Sequence, residues 1–515
     1  MAFFPKVLVT VEFHESWRPS GLPRRDRVRG TVYRRREALM TERKKQQIEI
    51  TRTLMDSLTI PLQAELGSTE LAINLIWVMM CTFLVFIMHA GFAMLESGQV
   101  RSKNVVNQLT KNIVTWAGGF TLYFLIGHAI IPVTAAIATS EPMPTLAEAF
   151  YYWNGAGVGF SGTGASGGLT STMSDWIYIV FNGAFAATTA SIVSGTVAGR
   201  MNIHGYAILG TILAGVVFPI TFGLHFAGGF VSTLPAGGLN DFAGGIVVHM
   251  TGGVAALTAA YLVGPRIEKY RDDGTARKLP GHSPAFTVFG TLILAFGWFG
   301  FNNGMASFVF DFGTTGQTFA TQWQDIPRVM TNTILVMGAG AIGATIASVY
   351  RDGEIKLLES TNGWLAGLVA VCPIALGATW FGTLGVGLLA GFQLPFVSSY
   401  LENKGIDDVV DAIPVHGTAA FLGGAAYPFV TTTSEFLSPW SLFSQIVGMS
   451  IIGIVTALIT AATIFAIRGV GLERASREGE LGGLDEHEHS MVAYPQFAPL
   501  DDSTTTAEGS TVDDD

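Results

Sequence analysis

The chain has 515 residues, of which 49% are hydrophobic and only 13% charged, with 62 glycines and a formal net charge of −10. Soluble domains carry about 25% charged residues, so this balance excludes an ordinary water-soluble protein. Its two cysteines, Cys81 and Cys372, fall inside apolar runs and supply neither a disulfide framework nor a metal-ligand cluster, which leaves them as packing residues.

Residues 1–65 form a basic extension, with 13 Lys/Arg against 8 acids and the run Arg34, Arg35, Arg36. They contain no apolar core of the length a cleavable signal sequence needs. The expectation is a disordered tail or an over-extended gene model covering residues 1–54. A start at Met55 would place no basic residue before the first apolar run.

Eleven candidate spans follow, at 70–95, 109–133, 174–198, 204–224, 241–263, 283–304, 327–349, 362–380, 382–400, 409–430 and 441–468. Each is close to the roughly 20 residues a helix needs to cross hydrocarbon. Without water to satisfy the backbone, helices are the spanning element, so the fold class is an all-α membrane protein with its membrane domain at 66–469. Glycines such as Gly338, Gly340 and Gly343 fit helices packed through small residues.

Lys and Arg in short loops set orientation. Beyond residue 65 there are 16, and all but Arg328 lie in loops after odd-numbered spans, from Arg101 and Lys103 to Arg474 and Arg477. Odd-numbered spans therefore end in the cytoplasm, which puts the N-terminus outside and the C-terminus inside. The Arg34–Arg36 cluster opposes that placement.

Spans 5 and 10 resemble one another. Val248, His249, Met250, Thr251 is echoed by Val415, His416, Gly417, Thr418, and both copies reach Ala-Ala-Tyr at Tyr261 and Tyr427. Each histidine has an aspartate eight residues earlier, Asp241 and Asp408. Copies five spans apart run in opposite directions, as in an inverted repeat of spans 1–5 and 6–10 with its site near the midplane. A histidine about 12 Å along a helix from its aspartate, at about 1.5 Å per residue, lies well inside the bilayer. A lone one would be read as a core histidine bonded to a carbonyl. Two at matching positions point to function, because intramembrane ionisable residues are usually functional. Two neutral imidazoles can share one hydrogen bond while each keeps a ring nitrogen for a small polar solute. Zinc would need a third ligand and usually a closely spaced pair of histidines on one helix, which spans 5 and 10 lack, so no cofactor and no enzyme is expected.

At these residues the chain resembles the ammonium transporter/Rhesus family over roughly residues 68–495. The matching motifs are Ala90 to Gly98 with Val100 to Asn104, Asp241 to His249, Gly297 to Gly304, Asp407 to Gly417, and the tail around Gly483, Leu484, Asp485, His489, Ala493 and Tyr494. The resemblance implies that His249 and His416 conduct ammonia and relay a proton. It implies that Phe185 and Phe301 form a stacked gate, and that Asp241 sits below an outer recruitment site. Asp241 equally suits a capping role at the start of span 5.

Two departures stand out. Met305 occupies the position where the family's transporters place a serine, and the family's outer tryptophan falls near Phe226, with His225 as a competitor. Phe is a poorer cation–π partner than Trp, and a thioether is a weak acceptor, so a weak outer cation site is expected. His89 and His128 are read as structural.

The tail divides into 470–495, which carries the family pattern, and an acidic, Ser/Thr/Asp-rich stretch 496–515 of the composition that stays disordered. By resemblance the first part couples subunits of a homotrimer at the cell membrane and offers a docking place for a PII-type signalling protein. The rival functions are an ammonium sensor that does not conduct and a neutral NH3/CO2 channel of Rhesus type.

Overall fold

The computed structural model describes residues 68–139, 142–150, 169–306 and 325–497. The basic extension 1–65 and most of the acidic stretch 496–515 lie outside them. Among the described residues there is no strand, only the isolated bridges Tyr270–Ala276 and Ala378–Thr431. The main elements are helices: α1 (Ser68–Gln99), α2 (Ser102–Thr139), α3 (Leu169–Thr196), α4 (Ile203–Thr233), α5 (Gly245–Val263), α6 (Pro284–Asn303), α7 (Asp325–Asp352), α8 (Leu357–Val371), α9 (Trp380–Asn403), α10 (413–430) and α11 (Pro439–Gly469). Two short helices, α12 (Arg477–Gly482) and α13 (Leu484–His489), follow in the tail.

Nine of these helices are long and apolar enough to cross a membrane. Of α1–α11, the two outside that set are α8 and α10. The expected span 362–380 ends early because Pro373 follows directly and cannot continue the ladder. The carbonyls freed there are used: those of Cys372 and Pro373 accept from the backbone N–H groups of Ala243 and Phe242. The end of α8 is thereby fastened to the segment that leads into α5. In α10 a six-residue π-turn, Ile413–Thr418, precedes the α-helix Ala419–Val430.

Helix starts follow local chemistry. Ser283 and Ser438 accept from the N–H three residues on, each followed by a proline at the first helical position, where a missing N–H costs nothing. Asn202 and Thr379 cap α4 and α9 in the same way.

Packing depends on small residues. Gly340 and Gly391 bring α7 and α9 into backbone contact, and a Cβ on Gly391 would collide with the Gly340 carbonyl. Gly91, Gly290 and Gly297 do the same for α1 and α6. The core this builds is sealed by fully buried Trp298, Tyr206, Phe181 and Phe301, while Phe83, Phe296 and Leu458 stand exposed on the outer faces of their helices.

Candidate functional site

The two histidine-bearing segments are built alike. Gly244 takes a left-handed conformation (φ +77°) and opens the π-turn Gly245–Met250 that carries His249. The carboxylate of Asp241 accepts from the N–H groups of Ile246 at 2.9 Å and Val247 at 2.8 Å. In the other segment Asp408 accepts from the N–H of Ile413 at 2.7 Å, at the head of the π-turn that carries His416. In both, a carboxylate caps the backbone five residues on, and the histidine follows three residues later. The wider π-turn re-aims one side chain relative to an α-helix, and such turns are frequent at functional sites.

These turns bring the histidines together. Nδ1 of His249 lies 3.1 Å from Nδ1 of His416, and the rings stack at 5.2 Å between centroids and 15° between planes. A contact between two like nitrogens fixes opposite tautomers: one ring donates from Nδ1 and keeps an acceptor Nε2, and the other accepts at Nδ1 and keeps a donor Nε2. His249 Nε2 has no hydrogen-bond partner among the described residues. Both rings are buried, His249 completely.

Aromatic rings continue the line on either side. Phe301 lies 5.0 Å from His249 and stacks on Phe185 at 4.2 Å and 28°. Beyond His416, Phe92 lies 6.4 Å away. The four residues His249, His416, Phe185 and Phe301 therefore form one continuous file.

Two neighbours of the histidine pair escaped sequence reasoning. Trp298 stacks on His249 at 5.1 Å and 17°, and its indole N–H donates to Cys372 Sγ at 3.2 Å. Its spacing of three from Phe301, which puts both on one helix face, was the available signal. Glu96 lines a cavity with His416, Phe92 and Asn362; it sits inside the motif Ala90 to Gly98, where nothing marks its depth.

Asp241 caps the π-turn through one oxygen, while its Oδ1 has no hydrogen-bond partner among the described residues. Phe226 ends the second α-helical stretch of α4 and packs on Phe222 at 5.0 Å and on the edge of His225 at 4.4 Å. His225 is turned away into a bond with the Leu239 carbonyl at 2.9 Å. Met305 lies just past α6 and packs on the core. Phe226 and Met305 both pack, partly buried, against the same core that holds Phe185 and Phe301. His89 reaches Ser191 of α3 at 3.5 Å, and His128 reaches Tyr123 of its own helix at 3.3 Å. Neither joins the pair. No group of three or more His, Cys, Asp or Glu among the described residues could hold a metal ion.

The tail helices pack on the start of α2, the helix whose Gln108 bonds Glu96. Asp485 accepts from the N–H of Asn107 at 2.8 Å at the head of the α-helical part of α2, and Leu484 N–H donates to Asn104. Burial pushes the Asp485 carboxyl up from its ordinary value, against the N–H groups of residues 105–107 that favour the anion. Glu488 accepts from Asn107 at 2.6 Å and Asn202 at 3.1 Å, and Tyr494 bonds His282 at 2.6 Å.

Residues 76–494 match the model of the Ammonium Transporter Family. Ammonium transporter Amt2 of Haloferax mediterranei is 44% identical over 454 residues, 87% of this chain and 96% of that protein. Ammonium transporter Amt2 of Archaeoglobus fulgidus is 35% identical, over 83% of this chain and 89% of that one. Among solved structures, one described as a sensor Amt protein superposes with a TM-score of 0.71 at 25% identity, covering 82% of this chain and 100% of that one. Candida albicans Mep2, at 20% identity and a TM-score of 0.65 over 79% of this chain and 86% of that one, shares the fold.

Proposed function

The chain belongs to the ammonium transporter family, and from that premise we propose that it carries ammonium across the cell membrane past His249 and His416. Ammonium is recruited at the outer mouth above Asp241, between Phe226 and Met305, and gives up its proton there. Ammonia then passes the Phe185–Phe301 gate and runs along the apolar file, while the paired imidazoles relay the proton.

The observation that carries this reading is the 3.1 Å contact between the two Nδ1 atoms. A neutral pair in opposite tautomers can take a proton at one outward-facing Nε2 and release one at the other, so charge never rests long in hydrocarbon. The lining beside them is aromatic, which disfavours a hydrated ion and admits a small neutral solute.

The matching Asp–turn–His segments support an inverted repeat of spans 1–5 and 6–10 within eleven spans, N-terminus outside and C-terminus in the cytoplasm. By family resemblance the protein works as a homotrimer, with 470–495 as the regulatory segment and a PII-type protein as a candidate partner.

A second reading, an ammonium sensor that does not conduct, is favoured by the solved structure described as a sensor Amt protein. Expression in a host lacking its own ammonium transporters separates the two. Growth on limiting ammonium supports transport; inserted, folded protein without growth supports the sensor.

A further inference from the structure

The proposed route ends at His416, yet a second buried titratable group stands just beyond it. Glu96, only 1% exposed, lines the cavity that also contains His416, Phe92 and Asn362. Its carboxylate is held by three side chains on two helices. Ser194 of α3 donates at 2.6 Å, Gln108 of α2 at 2.8 Å and Asn112 of α2 at 2.7 Å. Glu96 contributes to the cavity wall, while its three hydrogen-bond donors are not among the lining residues.

The charged and titratable groups around it come from every neighbouring helix. Lys111, on the same helix as Gln108 and Asn112, is fully buried, within electrostatic reach of Glu96 and 5.4 Å over the Tyr206 ring. Lys111 Nζ has no hydrogen-bond partner among the described residues, so its charge has no direct ion pair there. From α3, Thr196 bonds Asp408; from α8, Asn362 bonds Asp411. His416 is the remaining titratable group on the cavity wall.

We propose that Glu96 is the inner proton station, where ammonia leaving the pore is reprotonated and held briefly as ammonium. This rests on the reading that His249 and His416 conduct ammonia with a proton relay. A proton released on the His416 side passes to the Glu96 carboxylate, making the acid. Ammonia entering the cavity takes that proton on its lone pair, giving ammonium and restoring the carboxylate, so one proton and one ammonia leave together. The side chains that donate to Glu96 stabilise the anion that each cycle regenerates.

The test uses the full chain reconstituted in vesicles. Ammonium-driven current and the internal alkalinisation caused by ammonia entry are recorded in parallel. In Glu96→Gln the current should fall by about tenfold or more while ammonia entry persists, and Glu96→Asp should keep both. Unchanged current in folded Glu96→Gln overturns the proposal, as does an equal fall in current and ammonia entry, which marks a structural role. Should Glu96→Gln not fold, Ser194→Ala decides. With one hydrogen bond fewer to the anion, the internal pH at half-maximal current should move upward; no shift overturns the proposal. Insensitivity of current and flux to His249→Ala and His416→Ala would instead remove the underlying route, whatever Glu96 does.

Discussion

Gly253, one turn past His249, lies against the backbone of Gly417, the residue after His416, so closely that a Cβ on Gly253 would collide with the Gly417 N and Cα. The close approach of the two histidine-bearing turns thus depends on the missing side chain of Gly253, whereas a Cβ on Gly417 would make only ordinary contacts of 3.6–3.8 Å with Gly253. Gly253→Ala should force the turns apart, cost about 1–3 kcal/mol of packing, and break the Nδ1 contact. The expected outcome is inserted protein with a lowered melting temperature and strongly reduced ammonium transport. Wild-type transport would show that the contact is dispensable.

Asp241 satisfies two backbone N–H groups at the head of the first π-turn. Asp241→Ala leaves both buried and unpaired, at about 1–3 kcal/mol each, whereas Asp241→Asn keeps an acceptor. Thermal melting should rank wild type above Asp241→Asn above Asp241→Ala. Equal melting of the two variants would contradict the capping role and leave Asp241 to cation recruitment alone.

The proposed outer site lacks a strong cation–π partner. Phe226→Trp and Met305→Ser should each tighten the apparent affinity for ammonium or methylammonium by about two- to fivefold, the equivalent of about 0.5–1 kcal/mol. Concentration dependence of the current measures this. An already tight, saturable wild-type current would contradict the weak-site expectation.

Arg266 and Asp407 form a two-pronged ion pair at 2.7 and 2.8 Å with both partners buried. Burial alone would push the Asp407 carboxyl up, but the hydrogen bonds from Arg266 and the charges of Arg200 and Arg266 outweigh it and hold the group well below the usual carboxylate range. A depressed carboxylate contributes stability that is fully present above its unfolded value of about 4 and lost only as pH falls through the folded one. Asp407→Asn should therefore destabilise by about 3–5 kcal/mol at neutral pH. The gap in melting temperature from wild type should stay constant between about pH 7 and pH 5 and narrow only in stronger acid. A gap that closes near neutrality would contradict this.

Much of the site was legible because its chemistry is carried by residues rare in hydrocarbon. His249 and His416 stood out against an apolar background, and the aspartates eight positions earlier marked the repeat. What the sequence could not show was geometry that depends on contacts between helices. The early end of α8 at Pro373 and its capture by Phe242 and Ala243 needed the fold, as did the π-turns that aim the histidines. Trp298 and Glu96 were hidden inside recognised motifs, because neither stacking on His249 nor a place on a cavity wall leaves a periodic signal. Phe226 and Met305 are the converse case. Alignment with the family nominated them, and neither their spacing nor their burial against the core marks a cation site.

The most direct test of the central claim is a current recording on reconstituted protein, comparing wild type with His249→Ala and His416→Ala during an ammonium jump. The account predicts a robust wild-type current that is lost or sharply reduced in both variants, since each removes one half of the Nδ1 contact. Currents of unchanged size in both would contradict the twin-histidine route.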